Sequence, residues 1–214
     1  MRIRRGVFAL CATTVALGAG AANAARVENG GFEDGLSGWS VKNFGPGAWN
    51  GVCAIPRGFS FSAPPEGFCA AVTEQGEVSA QVLSQVVKLK ADRRHRLTYQ
   101  LAWENEAAAT RGPAPPPNGF ITPNTLQLDR PNQQFRIDVM KPGAPIRSTD
   151  PDHILMKLFR PGPDDPGARD WRRAGANLTE LAGRRVRLRF AVAVTEEELF
   201  LGIDAVKIKT RRRG

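Results

Sequence analysis

The sequence is poor in the residues that most often carry catalysis. It has only two histidines, three cysteines and one tyrosine in 214 residues. Neither His95 nor His153 lies in a nucleophile motif such as G-x-S-x-G, and no HExxH zinc motif occurs. Acids cluster at 150–152, 164–165 and 196–198, but these segments have turn composition, in which acids are common. We therefore predict that the protein is not an enzyme.

Long apolar runs are also missing after the first twenty residues. The chain begins with three arginines in five residues, continues as an apolar run over 6–20 and reaches Ala22-Asn23-Ala24, the layout of a secretory signal peptide. A membrane anchor is the alternative, but the run is shorter than the roughly 18 to 20 residues that a span needs. We predict cleavage after Ala24 and a mature protein secreted to the periplasm or the extracellular space, with no membrane span.

Cysteine is scarce in the mature chain as well. Removal of residues 1–24 takes away three arginines and no acid, which lowers the formal net charge from +9 to +6 and leaves 190 residues, enough for one domain with its own core. Cys53 and Cys69 are then the two remaining cysteines, and an even number in an exported chain predicts one disulfide. Two buried free thiols are the alternative.

Helical spacing of apolar residues is rare, whereas strict alternation is frequent. Alternation is clearest over residues 96–103, 134–140 and 184–195, and it is typical of half-buried strands. Five further segments are predicted strands: 39–43, 68–73, 78–90, 154–159 and 199–209. Eight or more strands with turn-rich joints predict an all-β fold, an antiparallel two-sheet jelly-roll β-sandwich.

The remaining segments are irregular. Residues 45–67 and the proline-rich stretch 105–132 lack strand character, and loops as long as the second are usually functional or disordered. Residues 178–182 predict one helical turn, with Asn177 as its cap and Gly183 as its end. The chain is thus divided into three parts: a signal peptide (1–24), a β-sandwich domain (25–209) and a solvated basic tail (210–214).

Three stretches, in order along the chain, carry a family resemblance. The mature chain opens with N-G-G-F-E at 29–33, closely followed by Gly38-Trp39. The second stretch, 83–89, leads into 96–99, and the third, 178–190, precedes G-I-D-A-V at 202–206. This order resembles the galactose-binding-like jelly-roll family, which includes carbohydrate-binding modules and many exported bacterial domains of unknown function. The resemblance implies a jelly-roll sandwich.

The same resemblance implies a structural calcium ion, held by one acid of the opening strand and one of the closing strand. Glu33 and Asp204 occupy the matching positions. Calcium takes six to eight oxygen ligands, so backbone carbonyls near 29–31 or water would complete the shell. Alternatively, the two acids pair with basic residues or cap turns. The alternation also changes parity at Asp204-Ala205, which predicts a β-bulge.

Glycan binding needs exposed aromatic faces beside polar groups. Four aromatic residues in segments without strand character are candidates: Trp49, Phe59, Phe61 and Trp171. The polar candidates lie on predicted strands and are Gln100, Gln81, Arg136 and Asp138. We assign Trp39 and Trp103 to the core. The alternative for any loop aromatic is that it fills the end of the sandwich, because burial is the commoner use.

Arginines alternate along one predicted strand. Arg185, Arg187 and Arg189 share a face, which would attract a sulfated or uronic polysaccharide, or is simply a solvated face. No nucleic-acid partner is expected, since basic and aromatic residues are not interleaved. Two hypotheses remain: a secreted non-catalytic module that binds a polysaccharide or glycan, and a structural or adhesive extracellular protein that binds other proteins.

Overall fold

A computed structural model describes residues 25–54, 61–74, 77–107 and 118–212. The predicted signal peptide and Phe59 lie outside these residues. The strands are, in chain order, β1 (Ser40–Phe44), β2 (Ala48–Val52), β3 (Ala70–Glu74), β4 (Ser79–Lys88), β5 (Arg93–Asn105), β6 (Gln133–Met140), β7 (Ile154–Phe159), β8 (Ala168–Asn177), β9 (Arg185–Val194) and β10 (Leu199–Arg212). Within the described ranges no helix is long and apolar enough to cross a bilayer.

The strands form two five-stranded antiparallel sheets. The first sheet has the order β1-β4-β9-β6-β7 and the second the order β2-β3-β10-β5-β8. Side chains of alternate residues from both sheets meet in one core, as the alternation predicts. Tyr99 packs edge-on against Phe190 at 5.8 Å between ring centroids, and Trp103 packs against Phe135 at 5.3 Å. Both contacts join the two sheets, so the predicted two-sheet sandwich is confirmed.

Two strands are not predicted from the sequence. β2 (Ala48–Val52) is a short edge strand that contains Gly51. β8 (Ala168–Asn177) is the other edge of the second sheet, and its sequence is rich in arginine and alanine with no clear apolar alternation. β8 forms because it pairs with β5 from Arg96 to Glu104. The backbone pairing, rather than a buried side-chain face, therefore defines it.

The closing strand carries the predicted bulge. The register of β10 against β5 shifts between Asp204 and Lys207, and Ala205 has a left-handed φ of 51°. The strand also continues to Arg212, paired with β5 as far as Arg93, so residues 210–212 are part of the sheet. A tail beginning at residue 210 is therefore wrong, because these three residues are part of β10, although Arg211 and Arg212 are exposed as predicted.

Two local predictions are confirmed. A single 3-10 turn spans Thr179–Leu181, the Thr179 N–H donates to Asn177 Oδ1 at 3.0 Å, and Gly183 ends the turn with φ 85°. Cys53 and Cys69 form the predicted disulfide. It ties the residue after β2 to the residue before β3, which holds the edge of the second sheet together.

The outer face of the first sheet is covered by two long connections. Small residues of β4 and β9 pack against Leu126 from the β5–β6 connection. Arg189 is fully buried and donates from Nη1 to the carbonyls of Ile146 and Ser148, at 2.8 and 2.7 Å. Half-buried Arg187 donates to the Ala144 carbonyl at 2.7 Å. The predicted solvated arginine row is therefore wrong for these two residues, which anchor the 141–153 connection.

Candidate functional site

The outer face of the second sheet holds Trp171 in a fixed position. Trp171 lies on β8, half-buried, and its ring extends across β5 to Gly202 on β10. A Cβ at Gly202 would lie 2.7 Å from Cη2 of the indole, so glycine allows the ring to lie against β10. The indole Nε1 donates to the Ser62 carbonyl at 2.9 Å, and Phe61 packs edge-on against the ring at 5.7 Å. The indole therefore has one defined orientation.

The segment that holds Trp171 is itself anchored to β8. The Ser62 N–H donates to Asp170 Oδ1 at 2.9 Å, and the Ser62 hydroxyl donates to Asp170 Oδ2 at 3.0 Å. The Ser62 N–H bond holds the pKa of Asp170 below its ordinary value. Hydrogen bonds to an ionised carboxylate are stronger than those to neutral acceptors. The position of the ring thus depends on hydrogen bonds between Ser62 and the carboxylate of Asp170, the residue before Trp171.

Small apolar residues make the floor beside the indole. Phe61, Ala70, Val72 and Ala102 are buried there, and Val52, Trp171 and Phe200 are partly exposed around them. Because alanine and valine project little from a sheet, the floor is shallow. Two partly exposed aromatic side chains, Trp171 and Phe200, therefore lie on one apolar patch of β8 and β10.

Polar groups follow on the same face. Gln100 on β5 lies opposite Arg173 on β8 in the strand register. Both residues line a cavity of about 240 Å³, together with Lys207 and Glu66. Lys207 Nζ donates to Glu66 Oε1 at 2.6 Å. Gln100 is two residues from Ala102 along β5, a separation of about 7 Å in an extended strand. The aromatic patch and the polar cavity are therefore adjacent.

The two predicted calcium ligands converge on residues 66–69. A Cβ at Gly31 would lie 4.0 Å from both Asp204 Oδ1 and Glu33 Cγ. Glu33 Oε1 accepts hydrogen bonds from the N–H groups of Phe68 and Cys69, at 3.0 and 3.1 Å. The side chain lies so close to Gly67, φ 65°, that any Cβ there would overlap it. Glu33 thus caps the chain before β3, as the alternative interpretation predicts.

Asp204 is buried at the bulge, and its Oδ2 accepts a hydrogen bond from the Glu66 N–H at 3.0 Å. Burial raises the pKa of Asp204 to about 6, and the carboxylates of Glu66 and Glu33 add to this effect, whereas the N–H groups of Ala205 and Glu66 oppose it. Across the described ranges, no three His, Cys, Asp or Glu side chains cluster as metal ligands. Backbone carbonyls or water would have to supply most of a calcium shell.

The chain matches no protein-family model and no curated protein, but it matches solved structures. The carbohydrate-binding module TmCBM61, solved with β-1,4-galactotriose, has a TM-score of 0.50 at 17% identity over 89% of this chain and all of that one. The fold is that of a carbohydrate-binding-module-like jelly roll. A Stig cyclase from Fischerella sp. TAU has a TM-score of 0.52 at 14% identity, covering 90% of this chain and 100% of its own. The K3 adhesin domain of Lys-gingipain from Porphyromonas gingivalis has 0.51 at 13%, covering 86% and 97%. One fold thus serves several functions.

On this jelly roll the predicted glycan-binding residues are dispersed. Trp171 and Gln100 share the outer face of the second sheet, although Trp171 lies on a strand rather than in an irregular segment. Trp49 is 3% exposed on β2 and faces the core, and Phe61 is 4% exposed beneath Trp171, so neither offers an open ring face. Arg136 lies on β6 of the opposite sheet. The prediction that Trp49 and Phe61 are exposed is therefore wrong.

Three residues of the aromatic and polar face are not predicted as site residues from the sequence. Phe200 alternates with the buried Leu199 and Leu201, so parity alone could have placed it on the outer face. Arg173 carries no such signal, because β8 lacks apolar alternation. Lys207 reaches this face because of the bulge, which shifts parity after Asp204.

Ser148 and His153 form a serine–histidine contact of the kind that occurs in hydrolase sites. His153 Nδ1 lies 2.7 Å from Ser148 Oγ, but this hydroxyl also accepts the Asp150 N–H at 3.2 Å. The His153 N–H in turn donates to the Asp150 carbonyl at 2.9 Å. These contacts are those of a closed turn in the 141–153 connection, which the arginines of β9 hold in place.

Proposed function

We propose that the protein is an exported, non-catalytic glycan-binding module that binds its ligand on the outer face of the second sheet. The observation that supports this best is the fixed, half-buried Trp171 beside Gln100 and Arg173. A flat aromatic ring packs against the apolar face of a sugar, while amide and charged groups bind its hydroxyls. The fold likeness to a module solved with a galactotriose is consistent with this ligand class.

Export is part of the same proposal. The disulfide between Cys53 and Cys69 persists in oxidising compartments and is uncommon in the cytosol. The signal-peptide pattern of residues 1–24 indicates the same destination. Mass spectrometry of the secreted protein should give an N-terminus at Ala25.

We further propose that Glu33 and Asp204 hold one structural calcium ion. Each carboxylate oxygen has two lone pairs, so the hydrogen bonds from residues 66–69 leave acceptor capacity for a cation. A divalent ion would also compensate the negative charge of the Asp204 carboxylate, whose pKa burial raises to about 6. Its role would be to fix the opening segment against the bulge of β10.

The binding proposal is tested by affinity electrophoresis and calorimetry of the mature protein against a panel of neutral and acidic polysaccharides. Trp171→Ala should weaken binding by about tenfold or more, because truncating a central aromatic hot-spot residue costs more than about 1.4 kcal/mol of binding free energy. Trp171→Phe, which keeps a ring, should recover part of the affinity. Val86→Ala, at an exposed site on the opposite sheet, is the matched control and should bind normally.

Two outcomes would contradict this proposal. Unchanged affinity of a folded Trp171→Ala variant would exclude this face as the binding site. A complete failure of the folded protein to bind any glycan would favour the alternative, a structural or adhesive protein with a protein partner.

A further inference from the structure

A second cavity lies on the opposite side of the sandwich from Trp171. It has a volume of about 570 Å³ at the β6–β7 edge of the first sheet. Its lining consists of Asn124, Arg136, Asp138, Lys157, Leu158, Phe159 and Arg160. Because it is on the other sheet, it is separate from the proposed glycan-binding face.

The floor of this cavity is a buried cluster of two arginines and one aspartate. Arg136 is 2% exposed and Asp138 is 1% exposed. Arg136 donates from Nε to Asp138 Oδ2 at 2.8 Å and from Nη2 to Oδ1 at 3.1 Å. Fully buried Arg189 donates from Nη2 to the same Oδ2 at 2.5 Å. Two buried guanidinium groups thus share one carboxylate, which leaves an excess of one positive charge.

Each of the two buried arginines has one nitrogen without a partner among the described residues, Nη1 in Arg136 and Nε in Arg189, and of these two residues Arg136 lines the cavity. Nη1 of Arg136 is buried and makes no hydrogen bond to any described residue. Buried polar atoms are nearly always hydrogen-bonded, and an unpaired donor of a charged group is especially unfavourable. Arg136 has five N–H donors in a planar fork, a geometry that suits carboxylate and sulfate oxygens. The unpaired donor therefore indicates a missing acceptor.

The rim adds charge of the same sign. Lys157 and Arg160 are exposed at the mouth of the cavity. Burial, followed by the nearby positive charge of Arg136, lowers the pKa of Arg160 below its ordinary value. Asp138 is the one acid in the lining, and two arginines already neutralise it. The cavity thus has a net positive field, with Leu158 and Phe159 as an apolar wall.

We propose that this cavity binds an anionic oxygen group of an acidic polysaccharide, either a uronate carboxylate or a sulfate ester. Arg136 would bind the anion from the floor, and Arg160 and Lys157 would bind it from the rim, while the apolar wall would contact the sugar ring. This proposal does not depend on Trp171, so a protein that binds no neutral glycan could still bind here.

The test uses the mature protein with polygalacturonate, a sulfated galactan and a neutral galactan in affinity electrophoresis and calorimetry. The two acidic polymers should bind, and Arg160→Gln should weaken this binding by about tenfold, as expected for a charge-assisted contact. Arg136→Gln should abolish it; because this buried change can impair folding, Lys157→Gln serves as a second rim variant. Arg185→Gln, an exposed arginine elsewhere on the first sheet, is the matched control and should change affinity less than about twofold.

A second experiment distinguishes a free inorganic anion from an anionic group on a polysaccharide. Melting temperatures are measured in sodium sulfate and in sodium chloride of the same ionic strength. A rise in melting temperature with sulfate, absent in Arg160→Gln, supports the site. If sulfate protects but neither acidic polymer binds, the polysaccharide assignment is overturned. Equal losses in Arg160→Gln and Arg185→Gln would also overturn it, because they would indicate unspecific attraction to the basic surface. Loss of acidic-polymer binding in Trp171→Ala alone would place the ligand on the other sheet.

Discussion

At the scale of single residues, the candidate face depends on one glycine. The Trp171 ring lies where a side chain at position 202 would otherwise project. This close approach cannot be predicted from the sequence, because β8 and β10 are adjacent only through β5 and the loop carrying Ser62. The alternation of Leu199, Leu201 and Ile203 does place Gly202 on the outer face. Sequence periodicity thus gives the face of a residue, and the tertiary structure gives its neighbour.

Gly202→Ala should displace the indole from β10. The new Cβ would approach the indole to 2.7 Å, so the ring must rotate away and lose its defined orientation. We expect a weaker glycan affinity, by roughly threefold to tenfold, and a change in tryptophan fluorescence. Gly143→Ala is the control, because a Cβ at Gly143 meets no atom within 4 Å. Equal affinities of the two variants would contradict the prediction.

Calcium should stabilise the protein through Asp204 and Glu33. A ligand that binds only the folded state at a hundredfold above its Kd adds about 2.7 kcal/mol to the free energy of unfolding. Thermal unfolding in calcium and in chelator measures this difference, which Asp204→Asn should remove. Asp152→Asn, at an exposed turn, should leave it intact. Equal melting temperatures of the unaltered protein in both buffers would exclude the ion.

At the scale of elements, the strands with alternating apolar residues could be predicted from the sequence, whereas β2 and β8, which lack alternation, could not. The inward faces of β5, β6 and β9 and the bulge of β10 follow directly from parity. β8 is missed because the residues that pack against the core, Ala174 and Ala176, are small and give no clear apolar alternation. The arginines of β9 are misassigned for a different reason: a buried row under a connecting segment has the same pattern as a solvated row.

Arg189→Ala should release the 141–153 connection from the first sheet. The change removes two hydrogen bonds to that connection and one partner of buried Asp138. Breaking a buried ion pair costs about 3–5 kcal/mol, although Arg136 remains to neutralise Asp138 and should limit the loss to the lower end. Urea unfolding measures it. Arg185→Ala, on the same strand but exposed, should stay within about 0.5 kcal/mol.

At the scale of the whole molecule, the two outer faces of the sandwich are built differently. Long connections cover part of the first sheet, Val86 and Arg185 stay exposed on it, and the basic cavity opens at the β6–β7 edge. The second sheet carries the shallow aromatic floor and the polar cavity. The fold class and disulfide could be predicted from the sequence, but this difference could not, because it depends on where long irregular segments lie.

The disulfide should matter for the stability of the whole domain. Cys53 and Cys69 are separated by 16 positions, and the chain-entropy contribution of such a loop is about 3 kcal/mol. The double variant Cys53→Ser, Cys69→Ser should lose about this amount in chemical denaturation. Reductant should lower the stability of the unaltered protein equally and leave the double variant unchanged. A stability unaffected by reductant would show that the bridge contributes nothing.

The bulge at Ala205 also determines which genetic changes the domain can tolerate. Two residues of β10 oppose Tyr99 there, so that Val206 and Ile208 face the core and Lys207 and Lys209 face outward. Deleting Ala205 would remove the bulge and restore a regular register, with Val206 still facing the core and Lys207 still facing outward. Deleting Lys207 instead would keep the bulge and reverse every later side chain of the strand, which would place Lys209 in the core. A deletion in β10 should therefore be tolerated best at the bulge itself.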